Sequence, residues 1–146
     1  MKTKIKILIL FFALSCVCSC KAQLMQTLKD AHKIKENRVY YADKPFKVLL
    51  KDIKPTIIAY SVSLDPNLRM ANLYLYFTSV SEHRQRLDEA AENHTPPPAS
   101  ITVRFDPQDI SLLKNILNKQ SGAWSKGIAD SLNSFIVKGV YSIGNN

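Results

Sequence analysis

Past position 20 the sequence contains no cysteine, so the chain beyond that point has no disulfide with which to brace itself. Small domains often depend on such staples, and this one must stand on its apolar core. A chain of about 120 residues buries roughly two thirds of its unfolded surface, which is enough for a single domain. Long apolar runs are missing as well. The longest, Ile7 to Val17, is about half of the roughly 20 residues that a membrane-crossing helix needs. The local signatures of catalysis are also absent: no GxSxG, HExxH, P-loop or GxGxxG pattern occurs.

The N-terminus carries the clearest signal. "MKTKIKILILFFALSCVCSC" places Lys2, Lys4 and Lys6 ahead of an apolar run and then small residues, the layout of a secretory signal. Cys16, Cys18 and Cys20 crowd together there without the C-x-x-C spacing of zinc or thioredoxin-like sites, so neither metal nor redox chemistry is expected of them. Residues Val17, Cys18 and Ser19 ahead of Cys20 resemble the lipobox of bacterial lipoprotein signal peptides; the residues ahead of Cys16 and Cys18 fit that pattern less well. The resemblance covers about the first 23 residues. It implies that residues 1–19 are removed, that Cys20 is lipidated, and that the protein is exported to the cell envelope and held at a membrane. Ordinary cleavage near Ala22, with Gln23 first, gives instead a soluble periplasmic or secreted protein.

The formal charge of +8 is unevenly spread. Residues 1–22 carry four lysines and no acid, residues 23–54 eight basic and four acidic side chains, and residues 55–146 eight of each. Export and a neutral C-terminal two thirds argue against nucleic acid as a partner. A basic segment beside a lipid anchor is drawn to anionic headgroups at about 1 kcal/mol per charge, although the plainer reading is a solvated basic tether over residues 20–38 ahead of a single domain at 39–146.

Within that domain, Leu24, Leu28, Ala31 and Ile34 predict a thin amphipathic helix over 23–37. Stretches near 46–53, 57–64 and 71–79 read as strands of a meander, with Asp65, Pro66 and Asn67 as turn residues. Ser79 and Glu82 predict the start of a helix whose buried face runs through Val80, His83, Leu87, Ala90 and Ala91, with Glu82–Arg86 and Arg84–Asp88 pairs outside. "TPPPAS" is a stiff connector. "SITVRF" alternates as a strand. Asp106, Pro107 and Asp109 open a helix buried through Ile110, Leu113, Ile116 and Leu117. "SGAW" breaks it, a second helix spans about 123–133, and "SFIVKGVYSI" closes as a strand. The predicted fold is α+β: a two-layer arrangement of an antiparallel-dominated sheet of about five strands with two or three helices packed on one face. The passage from 71 to 105 is expected to make one strand pair parallel.

Alternation along 71–79 sets Tyr74 and Tyr76 opposite Leu73 and Leu75. With Lys47 and Lys51 joining from the strand at 46–53, they form the candidate binding surface, suited to an anionic glycan, a lipid headgroup or an envelope protein. His83 and His94 stand about 16 Å apart on one helix, too far to share a metal, and no cofactor is expected. Two weak modification patterns occur. Asn93 opens an N-glycosylation sequon, and "DSL" at 130–132 resembles the acceptor motif of a periplasmic O-glycosylation system. These readings converge on a lipid-anchored, non-enzymatic binding module; the alternative is a secreted hydrolase or inhibitor-type domain whose site gathers His83, Glu82 and a serine.

Overall fold

The computed structural model describes residues 24–65, 70–106, 110–117 and 121–144. The stretch read as a signal with Cys20, the expected turn residues Pro66 and Asn67, and the expected helix start at Pro107 and Asp109 lie outside these residues. A 3-10 turn at Leu28–Asp30 leads into α1 (Ala31–Glu36), α2 (Arg38–Tyr41) and α3 (Phe46–Lys51), followed by β1 (Ala59–Asp65), β2 (Met70–Tyr76), α4 (Val80–Asn93) and β3 (Ser100–Phe105). Then come α5 (Ile110–Ile116), β4 (Ser121–Ala123), α6 (Lys126–Leu132) and β5 (Val137–Ile143). The fold is α+β, with one five-stranded sheet in the order β4-β1-β2-β3-β5.

Every pairing in that sheet is antiparallel, including β2 with β3, where Tyr76 stands opposite Ser100. The expected parallel pair does not form. The reason lies in the connection: α4 departs from the end of β2, and Pro96, Pro97 and Pro98 return the chain to that same end, so β3 runs back beside β2. The proline stretch also receives the end of the sheet. Gly144 sits at φ +91°, and a Cβ there would collide with the backbone of Pro97 and Pro98, so only glycine fits the approach.

The core forms on the face carrying Tyr60, Leu73, Leu75, Ile101, Val103, Phe105, Val137 and Val140, all buried. Successive side chains in a strand alternate between faces, which is why Leu73 and Leu75 read correctly from sequence. Helix α3 supplies Phe46 and Leu49, both 0% exposed. The Phe46 ring meets Phe105 edge-on at 5.3 Å and Trp124 at 6.4 Å. Leu113, Leu117 and Leu132 close the same core from α5, its following residue, and α6.

Three sequence expectations are corrected. Residues 46–51 are a helix, not a strand: Phe46, Leu49, Leu50 and Ile53 recur at helical spacing and all face the core or its margin. The sheet keeps five strands because β4, within the supposed breaker "SGAW", pairs with β1 through Ser121–Ser61, Gly122–Tyr60 and Ala123–Ala59. Most consequential, the segment from Leu24 onward is no tether. Met25, Ala31 and Ile34 are 0% exposed, so the domain begins well before residue 39. Met25 donates its N–H to the Asp52 carbonyl and accepts from Lys54 N–H, each at 2.9 Å. Tyr41, also buried, donates its hydroxyl to the Asp52 carboxylate at 2.8 Å. Desolvation of Tyr41 and the neighbouring carboxylate push its ionisation far above the ordinary tyrosine range, so the phenol stays a donor.

Helices α1 and α2 lie against β5, the outermost strand of the sheet on that side. The chain that follows them is stitched to it: Asp43 donates to the Val137 carbonyl at 2.8 Å and Val137 to the Lys44 carbonyl at 2.9 Å. A sheet edge otherwise offers unpaired backbone groups to stray strands. Lys138 adds an ion pair to Asp43 at 2.7 Å and a longer one to Asp106 at 3.3 Å.

Candidate functional site

The sheet face opposite the core is polar and aromatic. Register places Ser61, Tyr74, Thr102 and Tyr141 in one row across β1, β2, β3 and β5, and Ser63, Asn72, Arg104 and Gly139 in the next. Arg104 bridges these rows. Its Nε donates to Asn72 Oδ1 at 3.4 Å, and its guanidinium lies 5.2 Å from the centre of the Tyr141 ring. A Cβ on Gly139 would come within 3.2 Å of the Tyr141 hydroxyl and 3.3 Å of its ring; the missing side chain lets Tyr141 lie down beside its arginine. Among the described residues no carboxylate pairs with Arg104.

Tyr141 reaches this face because of a bulge. Between Arg104 and Phe105 the register with β5 slips, so that Arg104 faces Gly139 while Phe105 faces Val137 and Lys138 is the extra residue. One added residue reverses the alternation beyond it. Val137 and Val140 therefore share the core face, and Tyr141 turns outward. Along the side of β5 that faces α1 and α2 run two clefts. One, of about 280 Å³, is lined by Arg38, Val39, Lys138 and Tyr141 among others; the second, of about 390 Å³, includes His32, Lys35, Pro96, Pro97 and Ile143.

The four residues expected to form a single surface are divided. Tyr74 is half-buried in the open row. Tyr76 is taken up by packing: its hydroxyl bonds to Ser61 Oγ at 2.7 Å and its ring lies 4.3 Å from that of His83 at 36°. Lys47 and Lys51 stand on the exposed side of α3, across the core from the tyrosines, because those residues are helical rather than extended. Arg104, Asn72 and Tyr141 take their place. Arg104 was legible as the polar position of "SITVRF"; Tyr141 was not, since nothing in "IVKGVY" announces a bulge.

The His83 ring is not joined to Glu82 or to a serine hydroxyl among the described residues. It is buried, stacked on Tyr76, and has no carboxylate or nucleophile in hydrogen-bond contact among the described residues. The helix carrying it starts as expected, with Ser79 Oγ accepting from Glu82 N–H at 3.2 Å, and Glu82 pairs with Arg86 at 2.6 Å; no Arg84–Asp88 pair forms among the described residues. Burial, and then the nearby Arg86, push the His83 imidazolium below its ordinary value of 6.5. The unfolded chain accordingly binds the proton first. The His83 contribution to stability is full above about pH 7 and declines as pH falls through 6.5 toward the lower folded value, with a slope of at most about 1.4 kcal/mol per pH unit. Urea denaturation of His83→Phe, which keeps a ring against Tyr76, is expected to lose this part of the slope between pH 7 and 5.

Among the described residues no group of three or more His, Cys, Asp or Glu side chains is placed to hold a metal ion, and no helix is long and apolar enough to cross a membrane. Ser131 of the acceptor-like "DSL" is exposed and donates to the Gly127 carbonyl, whereas Leu132 is fully buried. No known protein family, curated protein or solved structure matches the chain.

Proposed function

We propose that the protein is an exported, lipid-anchored and non-enzymatic binding module, attached to a membrane through Cys20 and binding an anionic ligand on the outer face of its sheet. The observation that carries the binding site is Arg104: a half-buried guanidinium laid on Tyr141, oriented by Asn72 and unpaired with any described carboxylate. A charged group held in place with donors to spare favours a carboxylate or phosphate, which takes two parallel N–H bonds from arginine. Tyr74 and Tyr141 offer flat, amphipathic contact area on either side of Thr102, as interfaces and sugar-binding surfaces require. The lipobox resemblance at Cys20 supports the anchor.

Titration of the protein with a panel of uronic-acid- and phosphate-bearing oligosaccharides, followed by backbone amide shifts, tests the site. Binding is expected to move the amides of β2, β3 and β5, and Arg104→Gln to weaken it about tenfold or more, since a hydrogen bond to a charged group contributes about 1.5–3 kcal/mol. Shifts confined elsewhere, or an Arg104→Gln variant that binds as well as the parent, would remove this assignment.

A further inference from the structure

The three lysines on and after α3 lie beside the point where the chain enters the domain, and this juxtaposition sets the protein's posture on a membrane. We infer that Lys47, Lys51 and Lys54 form a surface apposed to anionic lipid headgroups, an inference that rests on the anchored reading of Cys20. Met25 is fully buried and clamped by backbone bonds to Asp52 and Lys54. From Cys20 to Met25 the chain takes five steps, and an extended chain advances at most about 3.6 Å per residue. The Met25 backbone therefore stays within about 18 Å of an anchored Cys20. Such a leash fixes which side of the domain meets the bilayer.

That side is cationic. Lys47 and Lys51 are one turn apart on α3, Lys54 follows the clamp, all three are exposed, and none is in an ion pair among the described residues. The acid among them, Asp52, accepts the buried Tyr41 hydroxyl. The remaining acids of residues 24–54 are Asp30, Asp43 and Glu36; Asp30 is paired with Lys33 and Asp43 with Lys138. Each lysine near an anionic surface favours the apposed state about fivefold, and together they exceed the freedom that a short leash leaves. With α3 against the lipid, the face carrying Arg104 and Tyr141 points away from it, open to ligand.

The mature protein, purified from membranes, is reconstituted into phosphatidylcholine vesicles with and without phosphatidylglycerol, and its lysines are labelled with an amine-reactive reagent read by mass spectrometry. Labelling of Lys47, Lys51 and Lys54 is expected to fall at least fivefold on the anionic vesicles alone, with Lys114 and Lys126 unchanged. The triple variant K47Q/K51Q/K54Q stays anchored, and its Lys29, beside the same entry point, loses any protection that the anionic lipid gave. An acylated Cys20 with equal labelling on both vesicles overturns the inference and leaves the anchor standing. Protection on native membranes but not on protein-free anionic vesicles assigns the lysines to a protein partner and overturns it too. An unmodified N-terminus at Gln23 removes the anchor and the inference together.

Discussion

Phe46→Ala is expected to lower stability by about 3–5 kcal/mol and Leu49→Ala by about 2–5 kcal/mol, whereas Lys47→Ala between them changes it by less than about 0.5 kcal/mol. The size follows from where the side chains end. Phe46 is fully buried, with Phe105 and Trp124 edge-on to its ring; Phe105 is held in β3 and Trp124 by its backbone N–H on the Ile58 carbonyl, so neither collapses freely into the space that Phe46 leaves. Leu49 separates helix from strand. In an extended chain with Val48 and Leu50 inward, Leu49 points to solvent and its truncation costs little; in α3 it is 0% exposed. Urea midpoints of the three variants, with the slope of unfolding unchanged, provide the measurement.

Ile34→Ala carries the second large effect, about 2–5 kcal/mol. A tether contributes nothing to the unfolding equilibrium, and a substitution in it is silent. Ile34 is instead fully buried in the common core with Ala31 and Met25, on a helix lying against β5. The loss should appear in both thermal and urea unfolding. A parallel check is proteolytic: trypsin is expected to spare Lys33 and Lys35 in the folded protein and to cut there readily in the Ile34→Ala variant, as the segment opens. Unaltered stability in that variant returns residues 24–38 to the status of a linker.

Much of the sheet was readable because it is half-buried. Leu73, Leu75, Ile101, Val103 and Phe105 alternate with polar residues, and that period survives any choice of neighbours. Helix α4 was readable from its cap, since Ser79 acts locally. The misread elements share one property: their state is decided by partners distant in the chain. "FKVLLKDI" satisfies a strand through Phe46, Val48 and Leu50, and a helix through Phe46, Leu49, Leu50 and Ile53; only the docking of Phe46 on Phe105 selects the second. β4 has three small residues and no apolar signal, and exists because β1 needs a partner. The basic N-terminal stretch looked solvated because its apolar stripe is thin, yet Met25 and Ile34 join a core built with residues about a hundred positions away. Of the candidate surface, Tyr74 was legible, the lysines were assigned to the wrong side through the strand error, and Tyr141 depended on a bulge.

The stitching of Asp43 and Lys44 to Val137 has a consequence for the order of events during synthesis. The Lys138–Asp43 contact spans 95 positions, and closing so long a loop is entropically expensive and slow. Helices α1 and α2 emerge from the ribosome before β5 but cannot settle until it has been made, because it is the strand they pack on. The strand that locks the N-terminal helices in place is made some 95 positions after the residue it is paired with, and until it arrives that part of the polypeptide stays pliable.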